Sequence, residues 1–135
     1  MISFDEFRNL IDKGETVRLT VNGTSMSPFL KSGIDSVFAV KGSGIYEIGD
    51  VAFFTRKNGV VVMHRIVKKD GDRYWFCGDA QKFLEGPIEA ERIFAKVVGV
   101  VHNNKPYNEK SVYFKFFSDI WCKWLLIRPR LVNKI

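Results

Sequence analysis

Val51-Ala52-Phe53-Phe54-Thr55-Arg56-Lys57-Asn58-Gly59-Val60-Val61-Val62-Met63-His64-Arg65-Ile66-Val67 decides the fold of this chain. Two β-branched and aromatic runs, Val51–Arg56 and Val60–Lys69, flank Lys57-Asn58-Gly59. Asn-Gly favours a tight turn with positive φ, so the two runs read as a hairpin. Similar runs lie on both sides of it. Val17–Val21 and Ile34–Val40 precede it, and Arg73–Cys77 and Ile93–Val101 follow it. Arg73–Cys77 pairs back on the hairpin across Asp70-Gly71-Asp72. Six strands with local connections predict a mainly β protein: a coiled, mostly antiparallel sheet or small barrel.

The flanks of this β core, residues 15–102, are helical in pattern. At Ser3–Lys13, Ser3 and Glu6 form a capping box and Ile2 and Phe7 a hydrophobic staple. Phe4, Phe7, Leu10 and Ile11 make one apolar face, and Gly14 ends the helix. Residues 1–14 thus form an N-terminal helix that covers one end of the sheet. In residues 103–135, Phe114, Phe117, Ile120, Trp121, Trp124 and Leu125 fall at helical spacing, with Lys115, Asp119 and Lys123 opposite and Pro129 as a stop. With three charges in seventeen residues, Ser111–Ile127 is too polar and too short to span a bilayer.

The 135 residues bound the chain to one domain with one real core. The formal net charge is +6, and seven cations against two acids beyond residue 102 supply +5 of it. Two uses of the basic, aromatic tail stay open: its apolar face packs on the sheet as a terminal helix, or it lies on an anionic membrane surface; nucleic acid is not expected. Cys77 and Cys122 have no metal spacing and read as buried thiols of a reducing compartment. No metal or cofactor is expected. The opening Met1-Ile2-Ser3-Phe4-Asp5-Glu6 has neither a basic region nor an apolar run, so no secretory leader is expected. The expected location is the cytoplasm or the periphery of a membrane.

Three segments carry candidate chemistry: Gly23-Thr24-Ser25-Met26-Ser27-Pro28, then His64-Arg65-Ile66, then Cys77-Gly78-Asp79-Ala80. A serine hydroxyl needs a neighbouring base to act as a nucleophile. Gly23 and Pro28 would expose that of Ser25 on a sharp turn. A strand-borne His64 suits the role of base, since an imidazole ordinarily titrates near 6.5. Each residue also has a bland use: a turn serine, a core histidine, and an Asp79 that caps its own turn. Asp72 and Asp50 are weaker candidates than Asp79, and Asp50 opens a strand. His102 lies in a polar turn and reads as a surface residue.

From Val17 to Val101 these segments, in this order, resemble the clan that joins type I signal peptidases to the self-cleaving SOS and phage repressors. The resemblance implies a serine peptidase fold, with the nucleophile in the Gly-x-Ser-Met-x-Pro turn. It implies Ser25 as nucleophile and His64 as base, as in the endoplasmic-reticulum-type enzymes, with Asp79 orienting the imidazole. Gly23, Thr24 and Met26 would then frame the substrate and the oxyanion hole, which the Ser25 N–H supplies in part. The chain departs from the family in three ways. Gly23 stands where signal peptidases often place an oxyanion serine, so the second donor is unassigned. Gly78-Asp79-Ala80 stands for Gly-Asp-Asn, and no N-terminal anchor is evident. The segment before Ser25 is too short for a repressor's DNA-binding domain. The implied activity is endopeptidase cleavage of an extended, leader- or signal-peptide-like chain. Two other uses stay open: a non-catalytic module that binds a peptide or partner on the same fold, and a nucleic-acid-binding β domain.

Overall fold

A computed structural model describes residues 3–123 and the backbone of 132–134. The protein is mainly β. Helix α1, Phe4–Asp12, is followed by β1 (Val17–Thr20), β2 (Ser36–Lys41), β3 (Val51–Thr55), β4 (Val61–Asp70) and β5 (Arg73–Cys77). Then come β6 (Phe83–Glu89), β7 (Ile93–His102), β8 (Lys105–Asn108), helix α2 (Val112–Lys115), a π-helical turn (Phe116–Trp121) and β9 (Val132–Lys134). The order in the sheet is β1-β2-β7-β3-β4-β5-β6-β9, with β8 also on β7. Every pairing is antiparallel except β6 with β9. The sheet stays open and does not close into the small barrel the sequence also allowed.

The ends of α1 follow its caps: Ser3 accepts from the Glu6 N–H at 3.1 Å, and the chain turns at Lys13. Ile2, the other half of the expected staple, lies outside the described residues. Phe7 and Ile11 are fully buried, and Phe7 meets the Phe53 ring edge-on at 5.0 Å. Each such side chain contributes about 1.5–3 kcal/mol on burial.

Strand β3 is apolar from Val51 to Phe54 because both of its faces are covered there. Val51 and Phe53 join a core with α1, Met26, Phe29, Val37, Val97 and Phe117. Ala52 and Phe54 join a second core with Tyr46, Ile66, Phe76 and Ile93. Strand alternation separates the two sets.

The registers leave two edges open. Strand β1 pairs with β2 alone among the described strands. Strand β4 meets β3 over Val61–Arg65, but β5 joins it only from Arg65 onward. Residues Val61 to His64 therefore keep their β5-side edge unpaired within the sheet.

Candidate active site

Between these two open edges lies a cleft of about 1040 Å³. From the β1 side it is lined by Leu19, Val21 and Gly23, and from the β4 side by Val61, Met63 and His64. Ser25, Met26, Phe53 and Gln81 complete its centre. The walls are mostly apolar; Ser25, His64 and Gln81 line the cleft together, and Arg18, Asn22 and Arg56 add polar groups along its length.

Ser25 sits half-buried in a turn that is held at several points. Gly23 adopts φ +86°, a left-handed conformation that a side chain would strain. Its N–H donates to Ser32 Oγ at 3.0 Å, and the Ser27 N–H donates to the Thr24 carbonyl at 3.1 Å. The Leu30 N–H donates to the Met26 carbonyl at 2.9 Å. The Ala80 N–H donates to the Ser25 carbonyl at 2.8 Å, so the Gly78-Asp79-Ala80 turn holds the Ser25 backbone directly. Gly78 is required for that approach: a Cβ there would lie 2.7 Å from the Ser25 carbonyl oxygen and 2.9 Å from Gln81 Oε1. Met26 is 2% exposed and belongs to both the core and the cleft wall. Thr24 is exposed and its carbonyl tightens the turn; it is not among the residues that line the cleft.

His64 is buried on β4 opposite Ala52. The cleft runs along the open edge, so neighbours from alternate pleats, Met63 and His64, both reach it.

Asp79 is fully buried, and its carboxylate takes a use other than the one read from the sequence. Both oxygens accept from the Arg65 fork, Oδ1 from Nε at 2.7 Å and Oδ2 from Nη2 at 2.8 Å. Arg65 is also fully buried, gives Nη1 to the Gly49 carbonyl at 2.9 Å and lies 4.9 Å over the Phe29 ring. Arg65 sits on the pleat opposite to His64, as strand alternation requires. A planar guanidinium matches a carboxylate with two parallel bonds, a stronger partnership than one imidazole N–H offers. The pair ties β4 to the turn that holds Ser25.

Three further groups support the Ser25 loop without having been evident in the sequence. Asp35 is fully buried and accepts from the Lys31 N–H at 2.8 Å and the Asn103 N–H at 3.3 Å. His102 Nδ1 meets it at 2.5 Å, so His102 is half-buried and tied down, not the surface residue its polar turn suggested. Burial alone would push the Asp35 carboxyl up, but His102 and the two backbone donors outweigh it and hold it below its ordinary value. Tyr113 stacks on His102 at 4.8 Å and on Phe29 at 5.5 Å, and its hydroxyl donates to the Phe29 carbonyl. Burial pushes that phenol far up. Gly33-Ile34-Asp35, a glycine turn before a strand, was the one local sign of this anchor.

Cys77 and Cys122 are buried thiols, as expected, and neither is in a disulfide. Burial pushes the Cys122 thiol up to about 11, which leaves it unreactive. No group of metal-ligating side chains occurs among the described residues. No family model, curated protein or solved structure matches the chain.

Proposed function

We propose that this protein is a serine endopeptidase with Ser25 as nucleophile and His64 as general base. The observation that carries the reading is that both residues line one cleft between two open strand edges. An extended peptide added to either edge would satisfy its own backbone there, and the apolar walls would take alternate side chains. The substrate is thus an extended peptide or protein segment. Ser25 attacks the scissile carbonyl while His64 takes its proton and later delivers it to the leaving amine. The Ser25 N–H gives one oxyanion bond, worth on the order of 3 kcal/mol in the transition state.

Gln81 supplies the second donor in this account. Its side chain lines the cleft with Ser25, and its Oε1 lies over Gly78, so the role falls to the Nε2 of the same amide, which fits the absence of a hydroxyl at position 23. Asp79 acts as a positioning residue: it fixes the turn that holds the Ser25 carbonyl and does so through Arg65.

Cleavage of a peptide library by the purified chain tests the reading. Ser25→Ala and His64→Ala should each remove nearly all turnover, and the double variant should be little worse than either, because the groups act as a unit. Gln81→Glu keeps the shape without the amide donor and should lower kcat with little change in KM. Full cleavage by Ser25→Ala would contradict the proposal. Peptide binding without cleavage, equal in wild type and Ser25→Ala, would instead identify a peptide-binding module.

A further inference from the structure

The chain from Val112 to Lys123 has two apolar faces, and only one is used inside the molecule. Phe114 and Phe117 are buried against Phe29, at ring distances of 5.6 and 4.9 Å. On the outer side Val112, Phe116 and Ile120 recur every fourth residue and are 85%, 42% and 61% exposed. The row does not stand alone. A side chain at Gly49 would collide with the Ser118 carbonyl, so the loop before β3 abuts this helix. That loop adds Ile48, 48% exposed, and Ile45, 75% exposed. Exposed apolar side chains of this size along one side of a helix, with more on the loop that abuts it, mark an interaction surface.

The charge around the row says what kind of surface covers it. Lys110, Lys115 and Lys123 are exposed; the acids nearby are Asp119, Glu109, which Lys96 meets at 3.2 Å, and on the loop Glu47, which Lys69 meets at 3.1 Å. None of the three lysines is held in an ion pair with another described residue. They belong to the segment that carries +5 of the chain's net +6. Apolar side chains flanked by exposed cations are the pattern of a helix lying in the plane of a bilayer, its apolar row among the acyl chains and its lysines at anionic headgroups. No described helix is long and apolar enough to cross a membrane, so the contact would be peripheral.

We infer that Val112, Phe116 and Ile120, with Ile45 and Ile48, form a docking surface for an anionic lipid bilayer. This inference is independent of the peptidase reading, because none of these residues lines the cleft. It also differs from the surface the sequence suggested, since Phe114 and Phe117 of that face are core.

The test is co-sedimentation of the full chain with phosphatidylcholine vesicles, with and without phosphatidylglycerol. The chain should bind only the anionic vesicles and should leave them as salt rises. Phe116→Ser with Ile120→Ser should weaken binding by roughly tenfold or more at an unchanged melting temperature. Lys115→Glu with Lys123→Glu should abolish the preference for anionic lipid. Should the first variant melt early, Val112→Ser at the most exposed position provides the same comparison. Ser25→Ala should bind vesicles like the wild type, which separates this outcome from any result on catalysis. Absence of binding to anionic vesicles would overturn the inference, as would equal binding by the apolar variants. A dimer of the wild type that the apolar variants dissolve, with no lipid binding, would assign the surface to a second copy instead.

Discussion

Arg65 and Asp79 pair at zero exposure, and this sets what substitution there would do. Removing one member leaves the other charge buried without its partner, at a cost of about 3–5 kcal/mol. Asp79→Asn should therefore lower stability by that amount in urea denaturation. If it instead leaves stability intact and specifically lowers turnover, the carboxylate serves His64 directly. Asp35 sets a pH dependence. Its folded pKa lies below the ordinary 3.8, so its contribution is fully present above that value and is lost as pH falls through the folded one. Asp50 has the opposite sign, because burial pushes it up. Asp35→Asn should lower stability at pH 7 and flatten its decline below about pH 4. An acid limb as steep as the wild type's would show that Asp35 is not a source of it. At this scale, of the residues singled out in the sequence, Gly23, Ser25, Met26 and His64 line one cleft and Thr24 and Asp79 do not, and what each bonds was not legible. Ser25, His64 and Gly78-Asp79 were legible as ordered motifs. The Arg65 fork was not, because a strand arginine is ordinarily read as solvated, and only the tertiary fold brings Asp79 within its reach.

Among the elements, α1 and the β3–β4 hairpin were fully legible, since a capping box and an Asn-Gly turn are local signals. Strand β6 was not: Gly86-Pro87 interrupts it, and such a pair reads as a break. Strand β8 is short and polar and forms only because β7 runs past β3 and offers it an edge. The helix after Ser111 was legible in position but not in phase. Helical spacing put Ile120 with Phe114 and Phe117, whereas the π-helical turn at Phe116–Trp121 shifts the register and leaves Ile120 outside. Trp121 is half-buried, and Trp124 and Leu125 lie outside the described residues. The buried face is structural. Phe117→Ala should cost roughly 3 kcal/mol or more, because it opens a cavity beside Phe29. Ile120→Ala should fall within about 0.5 kcal/mol of the wild type. Thermal or urea unfolding of the two variants compares them, and equal losses would mean that both faces are packed.

For the whole molecule, composition and turn signals were enough for a mainly β, antiparallel sheet with a helix at each end. They could not give the central place of β7 between β2 and β3, because those pairings join distant segments and depend on tertiary packing. Nor could they show that the sheet stays open, and that openness provides the two edges beside Ser25. The central claim is that this edge-bound cleft holds a working Ser25–His64 pair. The most direct measurement is labelling by a fluorophosphonate, mapped by peptide mass spectrometry as a function of pH. The account predicts a label on Ser25, a rate that rises with pH to a plateau as the base loses its proton, and labelling at least about a hundredfold slower in His64→Ala. A folded wild type that takes no label at Ser25, or a His64→Ala variant that labels at the wild-type rate, would contradict it.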